Sequence, residues 1–273
     1  MTTTTTFDLV IVGGGNMGAA LAGGLLSAGT IAGPALAICE TAADRRDDLE
    51  VLVPDVATFD HVPPCTAALI AVKPADAPSA AAATAAAGAQ RILSIAAGVS
   101  LATLEAALPD DIAVVRAMPN TPALVGQGMA AVAGGTAATA NDLDWAESVL
   151  GAVGKVERVD ESQMDAVTAL TGSGPAYVFL VAEALVDAGV GVGLPRHLAE
   201  SMTTQLLVGS SALLATRGDA AALRNAVTSP GGTTAAGLAV LDERDIRGIL
   251  ATAVEAAAAR SRELGAPPTS TPM

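Results

Sequence analysis

The sequence predicts an α/β protein in two parts, a doubly wound and mostly parallel sheet over residues 1–160 followed by an all-α domain over 161–265. Three observations carry this expectation. From Asp8 to about Val159, short apolar runs alternate with alanine-rich helical segments, the pattern of repeated βα units. A glycine-rich turn follows the first apolar run and opens onto a helical pattern. After about Glu161 the strand signal stops, and four or five long helical segments follow.

The strand candidates, in chain order, are Leu9 to Val12, Ala35 to Cys39, Ala67 to Val72, Ile92 to Ile95, Ala113 to Arg116, Met129 to Val132 and Val156 to Val159. Between them, Ala19 to Ala28, Ala75 to Ala87 and Asp142 to Leu150 read as helices. In the second half the helices are punctuated at Gly193 to Pro195, Arg217 to Asp219 and Ser229 to Gly232. Pro195 stands where a first-turn proline is tolerated, and Asp219 is placed to cap the helix through Leu223. The segments Tyr177 to Val186 and Ile249 to Ala259 are too apolar for a domain of this size to cover alone, which points to a homo-oligomer formed through the helical half. The Pro/Thr-rich end, residues 266–273, is expected to be disordered.

Composition removes several function classes. Hydrophobic residues make up 51% of the 273 but aromatics only 2%, so small aliphatic side chains must build the core and aromatic stacking platforms are scarce. A formal net charge of -14 opposes a phosphate-backbone partner, and nucleic-acid binding is not expected. The cysteines, Cys39 and Cys65, match no metal or redox spacing, so no metal site is expected and both read as ordinary thiols of a reducing compartment. The start, MTTTTTFDLVIVGGG, lacks a basic stretch and is not expected to be a signal peptide. Apolar stretches are expected to be broken by Glu183, Asp187 or prolines before reaching membrane-spanning length, which leads to a cytoplasmic expectation.

The glycine turn is Gly13-Gly14-Gly15-Asn16-Met17-Gly18, directly after Val12. Glycines there permit a tight turn and close approach of backbone N–H groups to a pyrophosphate, and the helix N-terminus adds partial positive charge. With a strand before it and a helix after it, the motif predicts a Rossmann-like dinucleotide site. Glu40, at the end of the second strand, is placed to hydrogen-bond the ribose of NAD and to repel the 2′-phosphate of NADP. Arg45 and Arg46 follow and can clamp that phosphate instead, or form a solvated helix face, so NADPH and NADH both stay open.

Further segments are more specific: Ala71-Val72-Lys73-Pro74, Ser94 to Gly98, Arg116-Ala117-Met118-Pro119-Asn120-Thr121-Pro122, Leu170 to Tyr177 around Gly172-Ser173-Gly174-Pro175, and Val227 to Thr234 with Ser229-Pro230-Gly231-Gly232-Thr233-Thr234. With the glycine loop, they resemble the pyrroline-5-carboxylate reductase family over nearly the whole chain. The resemblance implies NAD(P)H-dependent reduction of the cyclic imine L-1-pyrroline-5-carboxylate to L-proline. It also implies a helical domain that forms dimers or larger assemblies. Glu40 departs from the small or basic residues of the many members that prefer NADPH.

The residues support that expectation independently. Ala71 to Pro74 and Ala96-Ala97-Gly98 follow strand ends on the side where open α/β sheets bind ligands, so they can line the nicotinamide half of a coenzyme. Lys73 reads as a fixed charge near ribose and phosphates or as an ordinary surface lysine. Ser229, Gly231, Gly232 and Thr233 open a helix whose free N–H groups suit a small carboxylate, and the hydroxyl of Thr234 can hydrogen-bond the substrate ring nitrogen or cap that helix. Gly172 to Pro175 suits either an interface or a substrate wall, and Asn120 either orients ligands or stabilises its turn. His61 and His197 read as structural. A 3-hydroxyacid dehydrogenase of the same plan needs a lysine in its helical domain, and none follows Lys155, whereas another imine or ketone reductase of this plan that uses a hydroxyl stays open. A non-catalytic dinucleotide sensor would have no use for the SPGGTT cradle.

Overall fold

The computed structural model describes residues 5–265, so the disorder expected for 266–273 lies outside the described residues. By compactness the chain forms two units, residues 5–173 with 257–265, and residues 174–256.

The first unit is an eight-stranded sheet, with strands β1 (Leu9–Val12), β2 (Leu36–Cys39), β3 (Ala57–Phe59), β4 (Ala67–Ile70), β5 (Arg91–Ser94), β6 (Ala113–Met118), β7 (Gly128–Gly134) and β8 (Gly154–Arg158) in the order β3-β2-β1-β4-β5-β6-β7-β8. All neighbours are parallel except β6 and β7, which run antiparallel with Ala117 opposite Val132. The helices are α1 (Asn16–Ser27), α2 (Ala43–Leu52), α3 (Ala77–Ala86), α4 (Leu101–Glu105), α5 (Ala140–Gly151) and α6 (Met164–Val167).

β1, β2 and β4 are buried at every position, because helices cover both faces of the sheet. On one face Leu21, Leu25, Leu49 and Val149 from α1, α2 and α5 pack on Leu9, Ile11 and Leu69. On the other, Ala77, Ala81 and Leu104 from α3 and α4 pack on Val10, Ala68 and Ile70. Each fully buried Leu or Ile contributes about 2 kcal/mol, so aliphatic side chains build these cores almost without rings. The chain reverses direction across the sheet between β1 and β4, which sets a ligand-binding crevice at their carboxyl ends. Cys39 and Cys65 are buried and free, and desolvation pushes both thiols up, Cys65 to about 11.

The structure departs from the sequence reading in several places. β3 was not expected; it is three residues at the sheet edge, too short to show alternation. β4 stops at Ile70 and β5 at Ser94, because the following residues turn into the loops of the crevice. By compactness the first unit runs on to Ser173, and residues 257–265 pack with it as well. The reason lies in side chains. Glu161 accepts from the Leu101 N–H at the start of α4 (2.6 Å) and from Nη1 of the nearly buried Arg116 (3.0 Å). Asp165 accepts from the Ser261 hydroxyl at 2.6 Å. Glu161→Ala leaves Arg116 without its carboxylate and is expected to lower unfolding stability by about 2 kcal/mol. Urea unfolding checks this, and an unchanged midpoint would show that the pair contributes nothing.

The second unit is helical: α7 (Gly174–Gly191), α8 (Arg196–Arg217), α9 (Ala220–Ala226), α10 (Thr233–Glu243) and the first part of α11 (Ile246–Gly265). Pro195 is the N-cap of α8, and the Asp219 carboxylate accepts from the Ala222 N–H at 2.9 Å to cap α9. α7 has no buried residue, and Phe179 and Leu180 are 62% and 64% exposed, so this unit alone leaves a large apolar surface unpartnered. The helical stretch Glu161–Gly191 spans 31 residues and is long and apolar enough by composition to cross a membrane, which corrects the expectation that every such stretch is interrupted. Pro175 does not interrupt it because it falls in the first turn of α7, where no N–H is required.

Candidate active site

At the carboxyl end of β1 the chain enters the glycine loop. Gly13 has φ +107°, and a Cβ there would stand 2.5 Å from the Ala71 carbonyl oxygen. The loop is pinned by Gly13 N–H donating to Cys39 O (2.8 Å), while Ala71 N–H donates to Val12 O (2.7 Å). A Cβ on Gly18 would run into the Gly13 carbonyl oxygen, so α1 can approach β1 this closely only with glycine there. Gly15 differs, since a Cβ there meets nothing within 4 Å. It is the N-cap of α1, with no side-chain cap and no acidic residue in the first turn. The first N–H groups of α1 are therefore open toward an anion, and the space above Gly15 is what a pyrophosphate needs.

Beside the loop, both oxygens of Glu40 are held by backbone, one accepting from Gly14 N–H (2.9 Å) and the other from Ala42 N–H (3.0 Å). Arg45 Nε donates to the Gly14 carbonyl at 2.7 Å, so the residue is gripped from both sides. Arg46 is committed to the Glu40 and Thr41 carbonyls at 2.7 and 2.9 Å. Of the two arginines, Arg45 thus joins the loop and Arg46 braces α2. No sequence signal separated them.

The neighbouring strand ends complete this edge. Lys73 is exposed and caps a short turn, Pro74–Asp76, with Ala71 and Val72 half-buried behind it. After β5, Ala96 is buried and Ala97 exposed. Gly98, at φ +76°, faces Leu264, whose Cβ lies 3.6 Å from a Cβ built on the glycine. Its surroundings are therefore the end of α11 as well as the crevice edge. After β6, Asn120 accepts from Met129 N–H (2.8 Å) and donates to Thr171 O (3.0 Å), and so clamps its own loop to Thr171. Thr171 lies in a π-turn, Thr168–Gly172, a form that recurs at functional sites. Gly172 sits against Met118, whose Cε would be 2.7 Å from a Cβ at that position.

In the second unit, Ser229 to Gly232 make the turn before α10. Gly231 has φ +70°, and a Cβ on Gly232 would collide with the Ser229 hydroxyl. Gly232 is the N-cap of α10 without any side-chain cap, so the first N–H groups of this helix are open as well. Thr233 and Thr234 are exposed in the first turn. The Thr234 hydroxyl makes no hydrogen bond among the described residues and does not cap the helix. His61 is exposed with Nδ1 2.7 Å from Asp60, and His197 is exposed in the first turn of α8.

A doubly wound sheet with an open glycine-loop helix at its switch point, joined to a helical unit, defines the class as a dinucleotide-dependent oxidoreductase. A family profile described as pyrroline-5-carboxylate reductase dimerisation matches residues 161–264, and one described as NADP oxidoreductase, coenzyme F420-dependent, matches residues 8–98. The pyrroline-5-carboxylate reductase of Mycobacterium tuberculosis is 44% identical over 286 residues, covering 94% of this chain and 96% of the relative. The chain belongs to the pyrroline-5-carboxylate reductase family. The enzyme of that name from Synechocystis is 42% identical over 264 residues, covering 94% of this chain and 98% of its own. Among solved structures, a pyrroline-5-carboxylate reductase from Coxiella burnetii has a TM-score of 0.87 at 30% identity, covering 96% of this chain and all of its own (100%). A pyrroline carboxylate reductase from Plasmodium falciparum, solved with NADP bound, has a TM-score of 0.82 at 29% identity, covering 95% of this chain and 98% of its own.

Proposed function

We propose that this chain reduces L-1-pyrroline-5-carboxylate to L-proline as a homodimer or larger homo-oligomer joined through its helical unit, using NADPH and, as an alternative, NADH. The observation that carries the substrate reading is the uncapped N-terminus of α10 behind Gly231 and Gly232, with a free threonine hydroxyl beside it. Family membership gives the reaction.

When bound, the dinucleotide supplies the hydride. Val12 to Gly18 hold its pyrophosphate through the open N–H groups of α1, Glu40 takes the adenosine ribose, and Ala71 to Pro74 with Ala96 to Gly98 line the nicotinamide side. Ser229, Gly231, Gly232 and Thr233 cradle the substrate carboxylate on backbone N–H groups, which need no lysine or arginine. Thr234 orients the ring nitrogen through its hydroxyl. An imine that enters already protonated needs alignment more than a strong acid, in keeping with histidines that are both exposed. The unpartnered apolar side chains of α7 support assembly through the helical unit.

Purified protein given pyrroline-5-carboxylate and NADPH or NADH is expected to form proline, and absence of proline with both coenzymes would overturn the reading. Thr234→Ala is expected to lower kcat/KM roughly tenfold to hundredfold, about 1.4 to 2.8 kcal/mol, with coenzyme affinity unchanged. Undiminished turnover would remove Thr234 from the site.

A further inference from the structure

The sheet edge where the strands begin, at the opposite end from the glycine loop, carries a second cavity, of about 370 Å³. Asp8, Thr66 and Arg91 line it from three successive strands of the sheet. Asp8 precedes β1, Thr66 precedes β4 and Arg91 opens β5. The row is fixed by hydrogen bonds: Thr66 Oγ1 donates to Asp8 O at 3.0 Å, and Gln90 N–H donates to Thr66 O at 2.9 Å. Thr30, Ile31 and Ser148 complete the rim, above the buried Leu9, Leu25 and Val149.

The Arg91 guanidinium carbon lies 4.6 Å from the ring centroid of Trp145, the only tryptophan in the chain, and the ring also lines the cavity. Stacking on an aromatic face holds a guanidinium in one plane and leaves its edge N–H groups free for bidentate pairing with a carboxylate. Among the described residues, Arg91 has neither a salt bridge nor a side-chain hydrogen bond. The Asp8 carboxylate has none either. Adjacent strands stand about 4.8 Å apart, so with β4 between them the backbones of Asp8 and Arg91 are separated by roughly 10 Å. Two opposite charges, each unpaired and lining one mainly polar cavity, complement a small molecule that carries both charges.

We propose that this cavity binds a small α-amino acid as its zwitterion, with the carboxylate on Arg91, the ammonium on Asp8 and a small side chain or ring beside the half-buried Ile31. The proposal does not rest on the catalytic reading, because binding here is read without turnover.

Trp145 supplies the signal. L-Proline, glycine and L-valine are titrated into the full chain while tryptophan emission is followed, together with tetrahydro-2-furoic acid, which lacks the ammonium, and pyrrolidine, which lacks the carboxylate. The expected result is a saturable change with at least one amino acid and at least about tenfold weaker binding of both analogues matched to it. Arg91→Met and Asp8→Asn are each expected to weaken binding by about tenfold or more while turnover of the imine stays unchanged. Because replacing Arg91 alters the emission by itself, the same titrations are repeated by calorimetry. No saturable response to any of the three amino acids overturns the proposal, as does binding that survives both substitutions. Equal binding of the furoic acid overturns the zwitterion assignment.

Discussion

Gly18→Ala is expected to weaken coenzyme binding by at least about a hundredfold, close to 2.8 kcal/mol, and to take turnover down with it. The added methyl would occupy the space of the Gly13 carbonyl oxygen, a backbone atom that cannot swing aside, so the loop itself must shift. Gly13 is in turn fixed to Cys39 O and already close to Ala71 O, which carries the disturbance to the ends of β2 and β4. Gly15→Ala is the informative partner. Its methyl meets nothing in the protein, so stability should be unchanged, yet it takes the space that a pyrophosphate needs. Thermal melts combined with coenzyme titration separate the two variants. If Gly15→Ala bound NADPH as the parent does, the pyrophosphate would not lie against the N-terminus of α1.

Replacing Glu40 by Gln is expected to raise the ratio of kcat/KM for NADPH over NADH by about tenfold, roughly 1.4 kcal/mol. The carboxylate is immobilised by Gly14 and Ala42 N–H groups, so it cannot turn away from a neighbouring 2′-phosphate. Its negative charge stands against a second one, while the ribose diol of NADH finds a fixed acceptor. Gln keeps an oxygen for Gly14 and loses the charge. Arg45, held on the Gly14 carbonyl, then becomes the principal charge of that corner. Steady-state kinetics with each coenzyme reads the ratio, and a ratio that does not move would show that Glu40 does not discriminate.

How much of this was legible depended on how local the cause was. β1 was readable to the residue because a fully buried strand leading into a glycine turn leaves a continuous apolar run. The Asp219 cap was readable because a capping carboxylate and its N–H lie three residues apart. The reversal of β7 against β6 was not, since it depends on how the Pro119 to Pro122 turn is folded back by Asn120 reaching Met129 and Thr171. The attachment of Glu161 to the first unit depends on Leu101 and Arg116, far away in sequence. At the candidate site, the glycine loop and the Gly231–Gly232 turn announced themselves by composition. The grip of Arg45 on Gly14, and the commitment of Arg46 to carbonyls, emerged only from packing.

The return of residues 257–265 to the first unit has a consequence for how the molecule is made. The helical unit is an excursion with both ends anchored in the sheet unit, so the sheet unit is not finished when its last strand, β8, has been synthesised. Ser261 reaches Asp165, and Leu264 reaches Gly98, only after the entire excursion has been translated. A fragment ending at residue 160 lacks Glu161, Asp165 and this closing segment. During synthesis, these last contacts of the sheet unit are therefore made only once the helical half has emerged.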